Sequence, residues 1–205
     1  MRSVRRTALA AALTAALLGF PASAALPVVI ARNLSLELVG QGINTPPGVV
    51  PATTTQFGYV SYLLGLAIFK GEPQNETTAL FTFYIDSNTL RVVSDGPLRV
   101  IVREGKFTIY RNPRANASYD DPASFRQGSP VLVAGFRQQV VLDTVSGTFA
   151  ARNLDRITST TPFPAGRRSL QLGVVGARFV TVLTGHTNMP GPPSVYLAGY
   201  TFSQP

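Results

Sequence analysis

The chain has 205 residues, of which 45% are apolar and 14% charged, and a formal net charge of +8. Hydrophobicity this high with so few charges excludes a disordered chain and suits one domain with a core of its own. The absence of Cys excludes disulfides, zinc–thiolate sites and cysteine nucleophiles, and the single His, His186, leaves no material for a multi-histidine centre, so no metal or cofactor is expected.

The N-terminus carries Arg2, Arg5 and Arg6, then an apolar run over residues 8–20, then Pro21-Ala22-Ser23-Ala24. A basic start, an apolar stretch and a small-x-small end form the pattern of a secretory signal. Residues 1–24 are therefore expected to be a signal peptide cleaved after Ala24, and the chain to be secreted or periplasmic. The run is too short and too rich in Ala to predict a membrane span, so none is expected after cleavage. Removing the leader with its three arginines leaves a charge of +5. The basic residues, 16 Arg and 2 Lys, form no cluster interleaved with aromatics, and nucleic acid is not an expected partner.

Residues 25–56 read as an extended N-terminal segment followed by a Pro/Thr-rich loop at 41–55, which holds Pro46, Pro47, Pro51 and Thr53-Thr54-Thr55. Strand-like stretches follow at 57–70, 79–85, 89–94, 98–103, 106–111, 131–143, 148–159, 169–174, 177–185 and 194–202. No stretch shows a 3.6-residue apolar period. Short strands at regular turn spacing predict an all-β fold, with residues 57–205 forming an antiparallel β-barrel of about eight or more strands in meander hairpins; a β-sandwich is the alternative.

Three hairpins are predicted. A Glu104-Gly105 turn would pair Val102 with Phe107 and put Leu98, Val100, Val102, Phe107 and Ile109 on the core face, with Arg99, Arg103 and Lys106 outside. A Ser146-Gly147 turn would pair Gln138 with Asp155 and Val140 with Asn153, with Arg137, Arg152 and Arg156 outside. A Val175-Gly176 turn would pair Leu172 with Phe179 and put His186 on the face away from Phe179. Asp95-Gly96-Pro97 reads as a further turn. The segment 112–130, with Pro113, Pro122, Gly128 and Pro130, is long enough to be a lid or binding loop, or an ornamental insertion.

From Gln56 to Arg99 the order is an aromatic strand, then Ala79-Leu80-Phe81-Thr82-Phe83-Tyr84-Ile85, a short turn, and Leu90-Arg91-Val92-Val93-Ser94-Asp95-Gly96-Pro97; later comes a Ser146-Gly147-Thr148-Phe149 turn. This order resembles the allene oxide cyclase and dirigent group of eight-stranded antiparallel barrels, over about a third of the mature chain. In that group a Phe-Tyr strand leads through a tight turn to a strand ending near Gly-Pro. The 112–130 loop departs from the pattern, and no catalytic residue carries over. The resemblance implies a barrel with an apolar pocket, and a cyclase or a stereochemical guide as function.

The candidate site is a polar trio, Gln138, Asn153 and Asp155, on a face shared with Phe136 and Val140. Buried polar groups need partners, because an unpaired one costs ~1–3 kcal/mol. The trio is either a mutually bonded structural set or a ligand site. In the second case Gln138, Asn153, Phe136 and Val140 would bind ligand, and Asp155, its pKa raised by burial, would serve as general acid or base. His186 reads as a surface residue, and Asp120-Asp121 lack the spaced ligand pattern of a calcium loop. The leading functional expectation is a secreted or periplasmic barrel that binds a small apolar molecule. The alternatives are a cofactor-free isomerase or cyclase using Asp155, and a structural or adhesive surface protein presenting Arg137, Arg152 and Arg156 to an acidic polymer.

Overall fold

The computed structural model describes residues 28–30, 34–46, 48–188 and 191–203; the expected leader, 1–24, lies outside them. In chain order the strands are β1 (Val28–Ile30), β2 (Leu36–Asn44), β3 (Thr53–Leu63), β4 (Phe81–Asp95), β5 (Leu98–Arg111), β6 (Ser129–Asp143), β7 (Thr148–Thr160), β8 (Phe163–Ala165), β9 (Arg168–Leu172), β10 (Arg178–Thr187) and β11 (Val195–Ser203), with a short 3-10 turn at Pro122–Arg126. Eight of them close an antiparallel barrel in the order β10-β11-β2-β3-β4-β5-β6-β7. The expected barrel is present and the sandwich alternative is overturned, because β7 pairs with β10 and leaves no free edge. The barrel takes in β2 and the first four residues of β3, segments expected to precede it.

Strand alternation decides what fills the barrel. Along β7, Phe149, Ala151, Asn153, Asp155 and Ile157 are buried, while Thr148, Ala150, Arg152, Leu154 and Arg156 are exposed. The interior is mainly apolar, with Phe83, Phe107 and Phe179 fully enclosed, and charged side chains such as Glu104, Lys106, Arg137 and Arg152 stand outside. That is the reverse of a lipid-facing barrel wall.

An eight-stranded barrel has room for little more than its own side chains. Here three of the inward rings lie across inward glycines on neighbouring strands. Gly40 of β2 pairs with Gly58 of β3, and a Cβ on either would meet the Phe83 ring at 2.7 or 2.8 Å. Gly105 of β5 pairs with Phe136, whose ring tip is 2.9 Å from where a Cβ would stand, and Gly185 of β10 is related to Phe149 in the same way.

One end of the barrel is plugged. β8 and β9 form a small hairpin, joined by β1 parallel to β9, and its Phe163, Leu170 and Leu172 enter the main core. The Phe163 ring meets Phe81 edge-on at 5.2 Å. The expected Val175-Gly176 hairpin is therefore absent: Leu170 and Leu172 pair within the plug, and Phe179 pairs with Asp155 and Ser203.

Two further expectations are corrected. β5 runs unbroken through Glu104-Gly105, and the hairpin turn is Asp95-Gly96-Pro97-Leu98, with Asp95 paired to Leu98 and Gly96 at φ 55°. At Gly105 a Cβ would collide with the Asp86 carbonyl and the Ser87 backbone of β4 as well as with the Phe136 ring. An unbroken β5 puts Ile101, Arg103, Phe107 and Ile109 on one face, so Arg103 turns inward and Val100 and Val102 turn outward. The β6–β7 register also differs by two residues: Gln138 pairs with Asn153, and Asp155 pairs with Phe136. The connection is four residues long. The Asp143 carboxylate accepts bonds from the amides of Val145 and Ser146, which hold its pKa below the usual range. A two-residue slip preserves the face, so the trio still points inward and Arg137, Arg152 and Arg156 remain exposed.

The 112–130 segment leaves the plugged end and lies back on the outer wall. Phe125 and Ala117 cover the outward ring of Phe57, the Thr82 hydroxyl donates to the Phe125 carbonyl at 2.6 Å, and the Arg126 guanidinium sits 4.9 Å above the Tyr84 ring. Asp121 caps the 3-10 turn by accepting from the Ala123 amide.

Substituting Gly58 by Ala places a methyl against the Val39 carbonyl as well as Phe83. The expected cost is ~1–3 kcal/mol, a Tm loss of about 2–4 °C per kcal/mol. Gly71→Ala, which meets nothing within 4 Å, should leave Tm unchanged in the same calorimetric scan. Equal Tm values for the two variants would contradict the packing described.

Candidate functional site

The open mouth lies where the β2–β3, β4–β5, β6–β7 and β10–β11 connections gather. There, Ile101 and Arg103 of β5, Val140 and Leu142 of β6, Phe149 of β7 and Val195 of β11 enclose a cavity of about 50 Å³ together with Asn44, Thr54, Gln56 and Thr187. A water molecule has a liquid volume of about 30 Å³, so the cavity admits one small chemical group rather than a whole ligand. The β4–β5 hairpin projects beyond it. Val92 pairs with Ile101 and Arg99 with Leu142, so this face continues the cavity wall outward; Val92 is half exposed.

The inward polar residues form a row. Arg103 pairs with Gln138, Gln138 with Asn153, Asn153 with Thr181, and Thr181 with Thr201, one residue on each of five consecutive strands. All five are buried. Arg103 Nη1 donates to Gln138 Oε1 at 3.3 Å, and Gln138 Nε2 donates to Asn153 Oδ1 at 2.8 Å. Thr201 Oγ1 accepts from the Leu36 amide and donates to the Leu34 carbonyl, replacing ladder bonds where the β2–β11 pairing stops.

Among the described residues, four side-chain atoms in this interior have no partner: Gln56 Oε1, Arg103 Nε, Asn153 Nδ2 and Asp155 Oδ1. Two of them belong to residues lining the mouth cavity, Gln56 and Arg103. Burial pulls the Arg103 pKa down to about 10, with no acidic neighbour offsetting it. The guanidinium therefore remains charged at neutral pH without a counter-charge from the chain.

Asp155 sits two residues further along β7, between Phe136 and Phe179. Its Oδ2 accepts from the Thr181 hydroxyl at 2.8 Å. Burial pushes its pKa up to about 7, against the lowering effect of the Thr181 bonds. The carboxyl is thus poised to hold or release a proton near neutrality.

Of the expected site residues, Val140 lines the mouth cavity. Gln138, Asn153, Asp155 and Phe136 all point inward but lie deeper, outside its lining. Gln138 and Asn153 bond to each other, and Asp155 bonds to Thr181 instead. His186 is exposed on the outer face of β10, 5.4 Å from the Tyr196 ring. Arg103 and Gln56 are the polar lining residues that sequence reasoning misses. The stronger Asp-Gly-Pro turn signal, applied in place of Glu-Gly, would have turned Arg103 inward. Comparison with protein-family models, curated proteins and solved structures finds no match.

The raised pKa of Asp155 makes stability depend on pH in a defined direction. Its folded pKa of about 7 lies above the ordinary 3.8, so between these values the native chain holds a proton that the unfolded chain has lost. Stability from this group is full below about pH 4, falls as pH rises, and levels off above about 7, a change of about 4 kcal/mol at most. Asp155→Asn removes it. In urea melts at pH 4.5, 6 and 8, the variant should gain stability relative to the native chain as pH rises. Parallel pH profiles for the two would contradict a buried, protonated Asp155.

Proposed function

We propose that this chain is an exported binding barrel, secreted or periplasmic, that takes one end of a small, mainly apolar molecule at its open mouth. The observation that carries the reading is the mouth cavity itself, walled by the inward side chains Ile101, Val140, Leu142, Phe149 and Val195. The cleft at the other end, beside Phe81, Arg111 and Phe163, lies against the plug hairpin rather than among inward strand residues. The projecting β4–β5 hairpin supplies a surface for the rest of the molecule, with half-exposed Val92 on the face that continues the cavity wall beyond Ile101. Small sites of this kind combine an apolar lining with a few placed polar groups. The N-terminal pattern of arginines, apolar run and Ala-x-Ala supports export.

A second reading, a cofactor-free isomerase or cyclase, is favoured by Asp155, a carboxyl tuned near neutrality, and by the resemblance to allene oxide cyclases and dirigent proteins. General acid–base work needs the carboxyl within hydrogen-bond reach of substrate, and Asp155 is not part of the mouth lining. Binding is therefore the reading the geometry supports best.

Titrating the exported chain with a neutral environment-sensitive dye such as Nile red tests it. Saturable binding to one site, competed by small alkanols and lost in Leu142→Glu without loss of the β-sheet circular dichroism signal, is expected. A linear, non-saturating response would contradict it.

A further inference from the structure

We infer that the mouth cavity is an oxyanion pocket for a small 2-hydroxy acid, with its carboxylate on Arg103 and its hydroxyl on Gln56. This rests on the reading that the mouth cavity is the ligand site, and names the end of the ligand that enters it.

Three observations point the same way. First, Arg103 is nine-tenths buried, lines the cavity, and donates from Nη1 to Gln138, while Nε has no partner. The Nε side of a planar guanidinium presents parallel donors that match the two oxygens of a carboxylate. Second, no acidic side chain compensates the buried charge. Isolated buried charges are costly, and the chain carries this one in the wall of the mouth cavity. Third, Gln56 is 3% exposed, lines the same cavity, and its Oε1 accepts nothing. A carboxylate offers no donor, so a ligand that satisfies Gln56 as well as Arg103 carries a hydroxyl beside its carboxylate. A carboxylate with an adjacent hydroxyl is small enough for the cavity, and the apolar remainder of the acid then meets Ile101, Leu142, Phe149 and Val195 on its way out.

The interaction is held in place from behind. Gln138 accepts from Arg103 and donates to Asn153, so the guanidinium is oriented by the polar row rather than by solvent. The deeper residues of the trio thus act as positioning residues for the pocket.

Isothermal titration of the exported chain with mandelate, phenylacetate and 2-phenylethanol tests this. These share an aromatic body and differ in carboxylate and hydroxyl. Phenylacetate should bind about 10- to 100-fold more tightly than 2-phenylethanol, and mandelate about tenfold more tightly again. Arg103→Met should abolish the preference for the acids over 2-phenylethanol, with the β-sheet circular dichroism signal of the native chain. Arg103→Lys, which keeps the charge but not the fork, should retain part of the preference. Gln56→Leu should remove the advantage of mandelate over phenylacetate alone. Equal binding of acid and alcohol to the native chain would overturn the inference and leave the ligand site standing. So would Nile red binding without binding of any of the three. Failure of Nile red and of all three compounds would bring down the site itself.

Discussion

Closing eight strands into a barrel leaves an interior hardly wider than the side chains that enter it, and the rest of this structure follows from that limit. Several phenyl rings point inward where the facing strand gives up its own side chain. Gly40 and Gly58 yield to Phe83, Gly105 to Phe136, and Gly185 to Phe149. Glycine inside a strand weakens it by backbone entropy, so these positions are retained for volume and not for strand propensity. Once the rings are seated, the interior is full down to the plug of Phe163, Leu170 and Leu172. Space remains near the open mouth, where Phe149 is the last ring and Arg103 and Gln56 face it across the lining.

The same confinement governs the polar residues. Water has little access to the middle of the barrel, so Gln138, Asn153, Thr181 and Thr201 must be satisfied by neighbours on adjacent strands or by backbone. Placing them at one level on consecutive strands makes this possible, since directly paired inward residues are the closest side chains available. The row ends at Arg103, whose Nε faces no chain partner. Asp155 lies off the row and meets the cost of burial differently, by keeping its proton. The cation therefore sits in the wall of the mouth cavity, and the carboxyl, its pKa raised by burial, sits deeper.

The fold class and the closed meander were legible because alternation and turn residues are local signals. Asp95-Gly96-Pro97 is a turn, and Phe136, Val140 and Leu142 share the inward face with Asn153 and Asp155. Errors arose where a residue answers to a distant neighbour. Gly105 looks like a turn glycine, yet it lies mid-strand against a ring 31 positions away in sequence, on β6; Gly176, at φ 91°, does sit in a turn, but the strands flanking it pair elsewhere. Misreading Gly105 reversed Arg103 and hid the cationic end of the site. Thr53-Thr54-Thr55, assigned to a loop beside Pro51, opens β3, as β-branched residues favour. The two-residue error at Ser146-Gly147 cost a pairing but not a face, because strand periodicity is two. The plug could not be foreseen, since the Phe163–Leu172 hairpin is defined by what it covers.

The central claim is that Arg103 lies inside the mouth, reachable by small solutes and shielded from large ones. The chain has no cysteine, so single-cysteine variants can be read without background. Arg103→Cys, Glu104→Cys and Gln138→Cys can each be exposed to a small methanethiosulfonate and to a bulky fluorescein maleimide. The structure predicts that position 104 reacts with both reagents, position 103 with the small one only, and position 138 with neither until the chain is unfolded. Free reaction of position 103 with the maleimide, alongside protection of position 104, would show that β5 faces the other way and would contradict the account.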